Sequence, residues 1–190
     1  MGAGPALGGD RAGAEVSGKS PVSAETLMRM ATYYLAQRAA STRRLEEVLA
    51  RKIRRRCERL EVEPPLPETV AAMIAPVIAR LTEAKLVDDQ AYARGRAASL
   101  AAKGRPAWRI KADLKGHGID PEAEGLAEVV DPDPIGQARI VARRRRLGPY
   151  RPGERAPYRE RDIAVLARAG FSPGVARQVI DAEPDPDEPL

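Results

Sequence analysis

The sequence predicts an all-α protein: tandem three-helix repeats, three units, in an elongated, curved array. Three observations lead there. Only seven of the 190 residues are aromatic, so a core must be built from Ala, Leu, Ile and Val, which suits helices better than sheets. Apolar residues recur at i, i+3, i+4 and i+7 in stretch after stretch, the period of an amphipathic helix. The stretches also resemble one another at fixed displacements. Leu114-x4-Ile119-Asp120-Pro121 matches Leu166-x4-Phe171-Ser172-Pro173 at 52 residues, and Leu35, Leu45 and Leu49 match Leu100, Ile110 and Leu114 at 65. A small unit used three times, each leaning on its neighbours for burial, accounts for both.

The elements follow in order. Residues 1–22 are rich in Gly, Ala, Pro and Ser without apolar periodicity and read as a disordered tail. The first helix follows Ser23, with Leu27, Met30, Ala31, Tyr34 and Leu35 on one face. Ser41 is a natural N-cap for the second, whose stripe is Leu45, Val48, Leu49 and Ile53. Residues 54–66 are charged and Pro-rich, and read as an extension of that helix plus a loop. The third begins near Pro67, carries Val70, Met73, Ile74, Val77, Ile78 and Leu81, and holds Pro76 as an expected kink. These make a first unit, 23–87.

In the second unit, 88–131, Asp88-Asp89 caps a helix running to about Ala102, with Tyr92 and Leu100 inward. Lys103-Gly104 ends it, and Pro106 opens a short helix with Trp108, Ile110 and Leu114. Asp120-Pro121-Glu122 reads as a further helix start, with Leu126, Val129 and Val130 inward. The third unit, 132–183, opens after Asp133-Pro134 with Ile135, Ala138, Val141 and Ala142, and Leu147-Gly148 ends that helix. A loop over 148–158 precedes a helix carrying Ile163 and Leu166, and Ser172-Pro173 starts the last one. Residues 184–190 read as a frayed acidic end.

Charge is unevenly placed. The net charge is +5, but residues 29–60 hold ten basic residues against three acids, and 135–161 hold nine against two. Residues 121–134 and the last ten each carry five acids and no base. Basic blocks of this kind point to a polyanionic partner. One cysteine and one histidine leave no disulfide framework, zinc cluster or Ser-His-Asp arrangement. No phosphate-binding Gly-rich loop is present, and no catalytic constellation emerges, so no enzyme, metal or cofactor is expected. Cys57 reads as an inert thiol, and His117, between two glycines, as part of a turn. No apolar run reaches about 18 residues and no secretory signal opens the chain, so a cytoplasmic monomer away from membranes is expected.

The candidate contacts with a polyanion are Arg43, Arg51, Lys103, Arg105, Arg109, Lys111, Lys115, Arg144, Arg145 and Arg159. Arg105 with Arg109 and Lys111 with Lys115 are i, i+4 pairs, which places them on the two flanks of one helix, outside its Ile110–Leu114 stripe. Phosphates spaced along a strand are reachable from both flanks. Four successive arginines, 143–146, step around most of a helix, so at least one is expected along the core edge. For any single residue an ordinary solvated helix face explains the charge as well; the recurrence in all three units favours an anion-binding flank. Trp108 is the aromatic residue best placed to stack on a base, whereas Tyr34 and Tyr92 lie on apolar stripes.

The segment Tyr33-Tyr34-Leu35-Ala36-Gln37-Arg38 with Ser41 and Leu45, then Leu81-Thr82-Glu83-Ala84-Lys85-Leu86-Val87-Asp88-Asp89-Gln90-Ala91-Tyr92-Ala93, resembles the RecX family of regulators of the RecA recombinase. Gly104, Lys115-Gly116-His117-Gly118-Ile119-Asp120 and Gly170-Phe171-Ser172 are similar to its repeat signals. The resemblance spans roughly residues 25–183. It implies tandem three-helix repeats and no enzymatic chemistry. It also implies binding in the groove of the RecA–DNA filament, with affinity for single- or double-stranded DNA. The outcome it implies is restraint of filament extension and of RecA's ATPase, strand-exchange and coprotease activities, within recombination, DNA repair and the SOS response. The chain departs from the pattern at 54–66, at the added-looking loop 148–158, and at Asp162, where an apolar residue is expected. The alternative is a general DNA- or RNA-binding helical protein, such as a helix-turn-helix transcription factor, whose basic helix suits the same residues.

Overall fold

The computed structural model describes residues 22–183 apart from 124 and 131, and every regular element among them is helical. The expectations for 1–21 and 184–190 lie outside the described residues. Helices α1 (Ala24–Leu35), α2 (Thr42–Leu60) and α3 (Pro67–Glu83) form a first group. A second comprises α4 (Asp89–Ala101), α5 (Ala107–Gly116) and the single turn α6 (Ala127–Val130). The third comprises α7 (Pro134–Arg145), two 3-10 turns (Gly148–Tyr150 and Ala156–Tyr158), α8 (Arg159–Ala169) and α9 (Pro173–Ile180).

The caps are where short polar residues put them. A side-chain oxygen that accepts an otherwise unpaired N–H of the first turn fixes where a helix starts. Ser23 accepts from Thr26 N at 3.2 Å, Ser41 from Arg44 N at 3.2 Å and Asp88 from Ala91 N at 2.9 Å. Asp133 accepts from both Ile135 N and Gly136 N, and Ser172 from Val175 N. Helix α2 uses the first half of the charged stretch and stops where Glu61 turns left-handed, at φ 54°.

Two boundaries differ from expectation. Pro121 opens no continuous helix. Asp120 Oδ1 accepts from Glu122 N at 3.0 Å, the chain turns, and Gly125 takes φ +77°, so helix resumes only at Ala127. A left-handed residue cannot continue a right-handed helix. Leu126 and Val130 nevertheless reach the core; the Val129 side chain lies outside the described residues. Arg105 precedes α5, because Pro106 is its N-cap. Val22, placed in the tail by sequence, is buried against the first group.

Burial falls into three clusters, each drawn from one group. Leu27, Leu45, Leu49, Ile53, Ile74 and Leu81 dominate the first, which also encloses Cys57. Ala93, Ala97, Ile110, Leu114, Ile119, Leu126 and Val130 make the second. Ala142, Leu166, Phe171, Val179 and Ile180 head the third. Helix-on-helix packing runs within groups, and the groups meet mainly through helix ends and turns. The residues matched at displacement 52, Leu114 with Leu166 and Ile119 with Phe171, are buried in their own groups, as are Leu45 and Ile110 at displacement 65. Burying one such aliphatic side chain contributes about 2 kcal/mol. The second core faces α4 with two alanines, so it gains least from its own helices and depends most on its neighbours.

Candidate anion-binding cleft

Where the second group meets the third, the backbone comes very close. Gly104 takes φ +71°, and a Cβ there would lie 2.8 Å from Val141 Cγ2 and 2.9 Å from the Gln137 carbonyl oxygen. Only glycine fits both demands. With its amide turned so that the nitrogen faces the neighbouring carbonyls, Gln137 donates to that of Ala101 at 2.7 Å. Trp108 Nε1 donates to the Gly170 carbonyl at 2.9 Å, and Arg109 Nη2 to that of Arg168 at 3.3 Å. Arg144 Nη1 donates to the Lys103 carbonyl at 3.2 Å.

This junction leaves a cleft of about 160 Å³ lined by Lys103, Gly104, Arg105, Val141, Arg144, Arg145 and Ala169. Four cationic residues thus converge from two groups, two on the turn after α4 and two at the end of α7. Lys103, Arg105 and Arg145 form no ion pair with a described residue, and Arg144 spends one N–H on a carbonyl. Arg105 also borders an adjoining open groove of about 560 Å³ that includes Trp108, Arg109, Arg96 and Asp113. There the Arg109 guanidinium sits 5.0 Å from the centre of the Trp108 ring, and its Nε is buried without a hydrogen-bond partner. The Arg96 Nε and Nη2 bind both oxygens of Asp113, at 2.7 and 2.9 Å, which holds that carboxyl below its usual range.

The expected contacts therefore divide. Lys103, Arg105, Arg144 and Arg145 share the cleft, and Arg109 lies beside it. The remaining five are elsewhere. Arg43 lies over Gly118 with its stem and pairs with Glu47 at 3.5 Å; Arg51 is exposed on α2. Lys115 is exposed in the last turn of α5. Lys111 is paired with Glu122 at 3.1 Å. Arg159 is held by both oxygens of Asp181, each at 2.7 Å, and the pair lowers the pKa of that carboxyl. Lys111 and Arg159 thus spend their charge inside the fold. All four arginines of 143–146 are exposed, because α7 ends within the run and Arg146 turns left-handed at φ 54°. Trp108 is 55% exposed, yet it spans a junction rather than standing free.

Sequence reasoning passed over the junction itself. Gly104 and Gly170 stood out only as repeat signals, and the closeness of a backbone to a neighbouring group leaves no local pattern beyond the glycine. Cationic side chains facing a shared hollow give it a charge that suits an anion. Among the described residues no three of His, Cys, Asp and Glu gather as a metal site would require, and no described helix is long and apolar enough to cross a membrane.

No family-level sequence profile matches the chain. A curated relative, regulatory protein RecX of Myxococcus xanthus (strain DK1622), is 38% identical over 171 residues, which is 86% of this chain and 88% of the relative. The chain belongs to the RecX family. The fold agrees. The crystal structure of RecX from Lactobacillus salivarius superposes with a TM-score of 0.53 at 17% identity, covering 83% of this chain and 94% of that one. The alignment is longer than any one group of helices and covers most of the chain.

Proposed function

We propose that this RecX-family chain modulates the RecA recombinase, as an inhibitor, by lying in the groove of the RecA–DNA filament. In this reading the three groups are tandem three-helix units, 23–87, 88–131 and 132–183, strung into an elongated, curved array that bridges adjacent RecA protomers. Bridging restrains filament extension, and with it ATP hydrolysis, strand exchange and coprotease action. The observation that carries the reading is the similarity, over most of both chains, to the relative named regulatory protein RecX. The cleft supplies the DNA contact. Lys103, Arg105, Arg144 and Arg145 take backbone phosphates, with Arg109, Arg43, Arg51 and Lys115 as outlying contacts along the same polymer. Phosphate contacts position a protein without reading sequence, which suits a partner that coats any DNA.

RecA ATP hydrolysis on single-stranded DNA, with rising amounts of this protein, tests the function. The rate falls as the protein is added. The variant Arg105→Glu with Arg144→Glu and Arg145→Glu inhibits less, and its binding weakens less steeply with salt, by about 0.7 in the log–log slope per lost contact. Hydrolysis unaffected by the native protein would sink the function; equal inhibition by the variant would sink the cleft. A preference for one duplex sequence, indifferent to RecA, would favour a helix-turn-helix type of activity instead.

A further inference from the structure

We infer that the acidic segment 184–190 of this same chain docks into the cationic cleft and competes there with phosphate. The consequence for DNA rests on the phosphate reading above; the contact itself does not.

The cleft is a place where positive charge is left over. Several cations elsewhere meet carboxylates, as Arg96 meets Asp113 and Arg159 meets Asp181. At the junction Lys103, Arg105, Arg144 and Arg145 face one hollow without a carboxylate among its lining residues. The chain supplies the complement a short way downstream. Residues 178–190 hold no basic residue, and Asp185, Asp187 and Glu188 fall within four positions. Pro184, Pro186 and Pro189 are interleaved with these acids, a composition that disfavours helix.

The geometry of the third group makes the contact reachable. Gly148 lies three residues after Arg145, and a Cβ on it would stand 2.8 Å from Ile180 Cα. Glu183 lies three residues after Ile180. Two three-residue spans joined by that contact separate Arg145 from Glu183 by at most about 26 Å. Five further residues reach about 17 Å to Glu188, and an arginine and a glutamate side chain close the remainder. Tethering makes even weak ion pairs count, because a linked segment acts at high effective concentration.

Carbodiimide coupling of the full chain, read by mass spectrometry of the monomer, tests the contact without any DNA. The reagent takes up water as a carboxylate and the Lys103 ammonium become an amide. The expected product joins Lys103 to Asp185, Asp187 or Glu188, and it is lost in Arg105→Ala with Arg144→Ala and Arg145→Ala. The variant Asp185→Asn with Asp187→Asn and Glu188→Gln binds a single-stranded oligonucleotide at least about threefold more tightly at low salt. That gain vanishes when the three cleft arginines are also replaced. Unchanged helical circular dichroism shows that each variant is folded. A monomer without the cross-link overturns the docking, as does a gain in DNA affinity that persists without the cleft arginines. The cross-link in a chain that binds no DNA upholds the docking and overturns the phosphate reading alone.

Discussion

Asp162 is a carboxylate with 1% exposure, on a helix face where its neighbour Leu166 belongs to the third core. Burying an ionised carboxylate is costly unless it is paired and its oxygens are bonded. Arg151 Nη2 lies 2.6 Å from Oδ1, and Gly148 N donates to Oδ2 at 2.9 Å. The Arg151 guanidinium also stacks 4.3 Å from the centre of the Tyr158 ring. The loop 148–158 and the misplaced acid are thus one feature: the loop carries the arginine and the aromatic ring that the acid needs. Sequence showed both departures and gave no means of joining them, since an arginine eleven residues away in a loop obeys no periodicity. Asp162→Ala strands Arg151 and is expected to cost about 3 kcal/mol in urea unfolding. Replacing both with leucine is expected to cost much less, because no charge is then left unpaired. A similar loss for the single and double changes would show that the pair does not act as a unit.

Helices α4 and α5 are joined on their outer side by charge, and on their inner side by a core with little volume to give. Ala93 and Ala97 are the α4 contribution, and the apolar stripe that sequence assigned to this helix, Tyr92 and Leu100, is only half-buried. Tyr92 and Leu100 do pack against that core, and the alanines between them carry so weak a periodic signal that only these flanking residues marked the face, while the cap at Asp88 was plain. The Arg96–Asp113 pair then takes on more of the joining. Arg96 lowers the Asp113 pKa, so the folded state binds that proton less readily than the unfolded chain. The resulting stability is present above the ordinary carboxylate pKa of about 3.9 and is lost as pH falls through the lower folded value. Arg96→Leu is expected to move the Asp113 titration up toward its ordinary range, read by carboxyl-carbon NMR. It also reduces the acid-induced loss of stability below about pH 4. An unmoved Asp113 titration would mean that the hydrogen bonds from Arg96 do not set it.

At the scale of the whole molecule, burial is divided among three cores, and parts built this way are expected to fail separately. Coupling between neighbours then rests on a few contacts rather than a shared interior. At the first junction Ser41 Oγ donates to the His117 carbonyl at 2.8 Å while accepting from Arg44 N, and Thr42 N donates to Asp89 Oδ1 at 2.7 Å. One serine thus starts a helix and ties two groups together. The apolar stripes were legible as core positions because burial within a group leaves a periodic trace. The stripes did not reveal the junctions, where single glycines and carbonyls do the joining. Gly104 is the sharpest case. Lys103 and Arg105 flank it, so its conformation sets where two of the four cleft cations point. Gly104→Ala introduces a methyl group against the Gln137 backbone at a left-handed φ, and the third group has to shift to admit it. The expected result is local: DNA affinity falls severalfold and Trp108 fluorescence changes, since its indole bridges to Gly170. Amide exchange of Leu49 and Ile53, fully buried in the first core, stays as slow as in the native chain. Equal acceleration of exchange in all three cores would mean that the molecule unfolds as one body, and the modular account of the fold would fall with it.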